Sequence, residues 1–130
     1  MRMNRIFIAT LSLALGLVSA LPAMADTPSP DGDWARGDGK AKVHIAPCGD
    51  DLCAVNTWIR SDDKEEKVGD KLIMTIKPGA NGAWTGKASD PQRHLNYRLT
   101  LKLDGNAMTT SGCVLGGLLC KHVSWKRLDA

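Results

Sequence analysis

The side chains that most often carry catalysis are present in this chain but do not form a recognisable motif. Histidines occur at His44, His94 and His122, and serines are scattered through the sequence. A nucleophilic serine needs a neighbouring base and a sharp turn that presents its hydroxyl, and no serine here lies in such a sequence. Ser111 and His122 could face one another across a hairpin, where a polar cross-strand pair on the solvent face is the favoured interpretation. We therefore expect no catalytic residues and no enzyme activity.

Residues that could bind a metal are equally dispersed. The three histidines lie on separate predicted strands and turns, whereas an imidazole site needs several ligands to converge. Asp50 and Asp51 are adjacent in a glycine-containing turn, where carboxylates are usually exposed to solvent at the end of the turn. The charged run at 60–71 lacks the regular oxygen spacing and the turn glycine of a calcium loop, so we interpret it as a solvated loop. We expect no metal and no cofactor.

The cysteines indicate disulfide chemistry rather than catalysis. The chain has four cysteines. In a small exported domain, an even number of this size predicts two disulfides. A zinc site made of the four cysteines is the competing interpretation, which an oxidising compartment disfavours. Of the three pairings we favour the two local ones, because each then closes a turn-like segment; they are Cys48 with Cys53 and Cys113 with Cys120. Such short loops contribute only about 2 to 2.5 kcal/mol each on the chain-entropy model, so they fix turns more than they stabilise the fold.

The N-terminal segment has the pattern of a secretion signal. Arg2 and Arg5 precede an apolar run from Ile6 to Leu21, and Ala23-Met24-Ala25 is a small-x-small cleavage sequence. We predict a signal peptide at 1–25, cleaved after Ala25, and a protein that is periplasmic or secreted. An uncleaved membrane anchor is the alternative, because the run approaches the roughly 18 to 20 apolar residues that span a bilayer.

Cleavage would leave 105 of the 130 residues, which is enough for one domain at 26–130 and one core. The formal net charge of the whole chain is +3, and removal of Arg2 and Arg5 lowers it to +1 for the mature domain. This charge is too weak and too scattered for a nucleic-acid interface. No mature segment is long and apolar enough to span a membrane. We expect a monomer.

The elements that would position any site are short strands. Val43 and Ile45 alternate with polar residues, and the stretch from Tyr97 to Leu103 alternates in the same way. Turn sequences such as Asp104-Gly105-Asn106 recur roughly every 10 to 12 residues, without a helical period. This pattern predicts an all-β antiparallel meander of seven or eight strands. Closure into a small barrel would remove the exposed edges of the sheet.

The large aromatic side chains of the mature domain could line a ligand pocket, because indole rings combine apolar area with a hydrogen-bond donor. Core packing is their favoured role in a barrel of this size, whose interior is nearly filled or holds one small ligand. The candidate ligand-binding residues are Trp34, Trp58, Trp84, Tyr97 and Trp125. We expect a non-enzymatic module that binds a small or partly apolar ligand at the barrel mouth. The alternative is an envelope interaction protein, such as a hydrolase inhibitor or assembly factor, that acts through the loops at 48–53 and 60–71.

A resemblance to a known family rests on the cysteine and tryptophan frame. The motifs are Gly32-x-Trp34, Pro47-Cys48-Gly49-x-x-Leu52-Cys53-Ala54, Trp84-x-Gly86, Asp90-Pro91 before Tyr97, Gly112-Cys113, and Leu119-Cys120 ahead of Trp125-x-Arg127. This frame resembles the exported bacterial family called domain of unknown function 2147. The resemblance implies a calycin-like, lipocalin-type barrel in the cell envelope, without an established activity or catalytic residues. The chain departs from the family at His94, where a glycine is usual, and in a shorter charged segment at 60–71.

Overall fold

A computed structural model describes residues 14–20 and 28–128, and all of its regular structure lies in the second range. The predicted cleavage point after Ala25 is outside the described residues. Two single 3-10 turns occur at Ala80–Gly82 and Leu115–Gly117. The strands are β1 (Gly32–Arg36), β2 (Ala41–Cys48), β3 (Asp51–Ile59), β4 (Lys71–Pro78), β5 (Ala83–Asp90), β6 (Leu95–Asp104), β7 (Ala107–Val114) and β8 (Leu119–Arg127).

The strands form a closed antiparallel barrel in which each pairs with the next along the chain. β1 closes the sheet by pairing with β8, where Trp34 lies opposite Arg127 and Arg36 lies opposite Trp125. Closure satisfies the backbone groups that an open meander would leave exposed at its edges. The predicted all-β meander barrel is therefore confirmed.

The core follows from alternation along the strands. In β6, Leu99, Leu101 and Leu103 are buried, while the intervening Thr100 and Lys102 are exposed. The other strands contribute their inward residues in the same way, because neighbours along a strand point to opposite faces. The buried cluster includes Trp34, Val43, Ile45, Met74, Ile76, Ala88, Leu99, Leu101, Leu103 and Met108.

The two ends of the barrel differ. Alternate connections of an up-and-down meander lie at the same end, so the turns at 37–40, 60–70, 91–94 and 115–118 share what we call the mouth end. The opposite, far end is closed by the segment that precedes β1. There the Arg127 guanidinium lies 4.2 Å from the Trp34 ring and donates to the Asp31 carbonyl at 2.7 Å.

Both predicted disulfides are present. Cys48 is bonded to Cys53 across the β2–β3 turn, and Cys113 is bonded to Cys120 across the β7–β8 turn. His94, where the sequence was expected to depart from the family that it resembles, has a φ of 53°, which is the left-handed conformation that glycine adopts most easily. The structure thus confirms the pairing and shows the conformation in which the histidine is held.

Candidate functional site

A cavity of about 910 Å³ enters the barrel from the mouth end. Its floor is apolar and includes Val43, Ile45 and Met74. The interior is less filled than the sequence led us to expect. Several inward positions on the cavity wall carry small side chains, among them Ala54 and Gly112, which leave space that larger residues would occupy.

Two of the predicted aromatic residues line this cavity. Trp125 donates its indole N–H to the Thr110 hydroxyl at 3.0 Å, which fixes the orientation of the ring on the cavity wall. Tyr97 lies against Gly112, where a Cβ would be 3.0 Å from the tyrosine ring. Burial raises the pKa of Tyr97, and the nearby Asp90 carboxylate adds to the effect. The phenol therefore stays neutral at physiological pH and has no hydrogen-bond partner within residues 28–128, so it can bond a ligand.

The other three predicted residues lie elsewhere. Trp34 is fully buried in the core and donates to the Pro30 carbonyl at 2.8 Å. Trp84 lies at the far end, where its indole N–H donates to the Pro28 carbonyl at 3.0 Å. Trp58 is 42% exposed on the outer surface, with the Lys42 ammonium 5.3 Å from its ring. The structure therefore brings Tyr97 and Trp125 together in one cavity and leaves the other indoles outside it.

The outward position of Trp58 results from a β-bulge. Lys42 pairs with Trp58 and Val43 pairs with Asn56, so Thr57 is an extra residue on β3. An extra residue reverses which face the following side chains occupy. Strict alternation from Ala54 and Asn56, both of which line the cavity, would place Trp58 inside.

Arg36 is the first of the residues that shape the mouth, and no motif in the sequence points to it. Arg36 donates to both carboxylate oxygens of Glu66, at 2.8 and 2.7 Å, and its Nε donates to Asp38 at 3.0 Å. The hydrogen bond to Glu66 raises the pKa of Arg36 despite the opposing effect of burial. The available signal was position, because Arg36 lies two residues after the inward Trp34 and therefore on the same face of β1.

The second mouth residue is Arg93, in the turn between β5 and β6. It donates to the Asp90 carboxylate at 3.0 Å and to the backbone carbonyl of Glu65 at 2.7 Å. Burial alone would raise the pKa of Asp90, but hydrogen bonds from Gln92 and Arg93 outweigh it and hold the pKa below its ordinary value. Gln92 also bonds both backbone groups of Lys71 at 2.8 Å, at the start of β4.

These contacts hold the charged segment 60–70 in a fixed position at the mouth. We call this segment the strap. Arg36 holds Glu66 from β1, and Arg93 holds the carbonyl of Glu65 from the β5–β6 turn. Within the strap, Asp63 accepts the backbone N–H groups of Glu65 and Glu66 at 3.0 and 3.1 Å. The strap is thus attached on two sides of the mouth. The sequence had suggested a solvated loop instead.

The remaining candidate chemistry does not converge in the part of the chain that the structure describes. Ser111 and His122 lie directly opposite one another on β7 and β8, as predicted for a cross-strand pair. Within residues 14–20 and 28–128, no group of three or more histidine, cysteine or acidic side chains is arranged to hold a metal ion. The same ranges contain no helix with the length and apolarity needed to cross a bilayer.

Comparison with known proteins gives a family but no function. No curated protein and no solved structure matches the chain. A family model described as "Uncharacterized protein conserved in bacteria (DUF2147)" matches residues 32–127, which span all eight strands. The chain therefore belongs to this bacterial family.

Proposed function

We propose that this protein is a non-enzymatic binding module that holds a small, partly apolar ligand inside the barrel. The observation that supports the proposal is the cavity of about 910 Å³, which has an apolar floor and a polar mouth. Cavities that bind small molecules usually have volumes of about 300 to 1,000 Å³ and few polar groups on mostly apolar walls. Tyr97 and Trp125 supply aromatic area, and the Tyr97 hydroxyl supplies a polar contact.

The proposed location is the periplasm or the extracellular space. Structural disulfides are typical of oxidising compartments and rare in the cytosol, and the N-terminal residues have the composition of a secretion signal. In such a compartment the two disulfides stay oxidised and fix two turns of a small domain whose core is limited.

The test uses a matched pair of variants on β7. Thr110 lines the cavity and Thr109, its neighbour, is exposed on the outer face. Thr110→Phe should fill the space beside Trp125, whereas Thr109→Phe adds the same side chain outside the barrel. Dansyl-labelled undecanoic acid serves as the fluorescent probe for the wild type and both variants.

We expect Thr110→Phe to weaken probe binding at least about tenfold, which corresponds to losing the burial of roughly two methylene groups. Thr109→Phe should bind like the wild type. Native mass spectrometry of the protein purified from cells that export it provides the second test, and a retained small molecule supports the proposal. Equal probe binding by both variants, or a wild type that binds no probe and carries no added mass, would refute it.

A further inference from the structure

The turn between β7 and β8 exposes three large apolar side chains. Leu115, Leu118 and Leu119 are 73%, 88% and 62% exposed, and we call them the leucine tip. The Cys113–Cys120 disulfide closes the base of this turn. No hydrogen bond or ion pair joins residues 115–118 to another mouth-end turn within the described part of the chain. The tip is therefore a tethered apolar projection that adds nothing to the core.

The backbone conformation at Leu115 does not favour a leucine. Leu115 has a φ of 53°, a conformation that glycine or asparagine adopts at lower cost. A residue that is both strained and exposed does not stabilise the folded chain, and such residues concentrate at functional positions. The tip therefore requires an explanation outside the fold itself.

The surface beside the tip is cationic. Lys87 and Arg98 lie directly opposite one another on β5 and β6, an arrangement of like charges that is unfavourable in a sheet. Neither forms an ion pair among the described residues. Both line a groove of about 610 Å³ that reaches Leu115, and no acidic residue of the described ranges lines that groove. Lys121 follows Cys120 at the mouth and adds a third cation.

Two carboxylates of the mouth are neutralised by arginines on the strap side. Glu66 is bonded to Arg36, and Asp90 is bonded to Arg93. The carboxylates that are ion-paired at the mouth do not line the groove that joins Lys87 and Arg98 to Leu115. Apolar side chains next to unpaired cations match the boundary of an anionic bilayer, where acyl chains lie beneath charged headgroups.

We propose that the leucine tip docks on the surface of an anionic lipid bilayer. Leu115, Leu118 and Leu119 enter the boundary between headgroups and acyl chains, while Lys87 and Arg98 contact lipid phosphates. Since the tip is a convex projection, it suits a fluid layer that can close around it. Docking would also turn the cavity mouth toward the membrane, but it does not depend on whether the cavity holds a ligand.

Flotation of the purified protein with vesicles tests the proposal. The vesicles contain phosphatidylglycerol and phosphatidylcholine in equal amounts, and phosphatidylcholine alone is the comparison. We expect binding to the mixed vesicles that weakens at high salt, because charge attraction to lipid headgroups is screened. Binding to neutral vesicles should be much weaker.

Two sets of variants separate the apolar and charged contributions. Leu115→Ser with Leu118→Ser should reduce binding at least about tenfold, while Val68→Ser in the strap, where the valine is 64% exposed, should not. Lys87→Gln and Arg98→Gln should each cost about fivefold. The matched control is Lys77→Gln with Lys102→Gln, which removes two exposed cations near the far end.

A direct measurement of insertion uses Leu118→Trp. Its added emission should shift to shorter wavelengths with mixed vesicles, because the indole leaves water. Circular dichroism of every variant checks that the barrel is retained. The proposal is wrong if the wild type ignores anionic vesicles, if the serine variant floats as well as the wild type, or if the far-end control loses as much binding. Capture of a single envelope protein by the tip, without vesicle binding, would assign the surface to a protein partner instead.

Discussion

We predict that the Arg36–Glu66 ion pair acts as a latch, which means that it holds the strap against β1 with a measurable coupling free energy. Arg36 and Glu66 form two parallel N–H to oxygen bonds at 2.8 and 2.7 Å, and their side chains are only 15% and 25% exposed. Exposed ion pairs contribute about 0.2 to 1 kcal/mol, whereas hydrogen bonds to charged groups contribute about 1.5 to 3 kcal/mol. For a bidentate pair with some solvent screening we expect a coupling free energy of about 1.5 kcal/mol.

The perturbation is a double-mutant cycle of Arg36→Gln and Glu66→Gln. The cycle is needed because Arg36 also bonds Asp38, and only the non-additive part of the effect belongs to the Arg36–Glu66 pair. Trypsin cleavage after Lys64 or Lys67 reports how often the strap opens, provided that opening and closing are fast compared with cleavage. A coupling of about 1.5 kcal/mol predicts that Glu66→Gln speeds cleavage roughly tenfold more when Arg36 is present than when it is replaced by glutamine.

The strap contains its own control pair. Arg60 donates to Asp62 at 2.5 Å, but these side chains are 42% and 64% exposed. A cycle of Arg60→Gln and Asp62→Asn should show no measurable coupling, because solvent screens exposed pairs. A coupling for Arg36 and Glu66 below about 0.5 kcal/mol, or equal to that of the control, would refute the latch.

Three further outcomes follow from the structure. Hydrogen bonds hold the pKa of Asp90 below its ordinary value, so its ionised form stabilises the fold above about pH 3.9. This stabilisation is lost as the pH falls through the pKa that Asp90 has in the folded state. Urea unfolding should show a larger acid loss for the wild type than for Asp90→Asn. Gly86→Ala should lower the free energy of unfolding by at least about 3 kcal/mol, since the added Cβ would overlap the Thr75 carbonyl oxygen; a loss below about 1 kcal/mol would contradict the close β4–β5 approach. His94→Gly should raise the unfolding temperature by relieving about 1 kcal/mol at a φ of 53°, whereas Asn81→Gly should change it less, because asparagine tolerates that conformation.

The sequence predicted the parts of this molecule that depend on local pattern. Alternation from Tyr97 to Leu103 specified the buried face of β6, and turn residues at each gap specified the meander. The disulfide pairing was predictable because each pair of cysteines flanks one turn, so neighbouring strands bring them together.

The candidate site was only partly predictable, because it depends on register and on long-range contacts. One extra residue at Thr57 turns Trp58 out of the barrel, and no composition or spacing rule reveals where a bulge falls. Trp84 also stays out of the cavity because it lies at the far end of β5. The position of a side chain along a closed barrel depends on how all the strands are staggered.

Local pattern in the chain determined that it forms an all-β meander with two stapled turns, because alternation, turn chemistry and cysteine spacing act over a few residues. Tertiary structure alone decided that the charged segment is a strap and that Tyr97 and Trp125 share a cavity. Arg36 and Glu66 are 30 residues apart and meet only when the barrel closes. Closure also decides how much of the interior the inward side chains fill, which is why the cavity could not be read from the sequence.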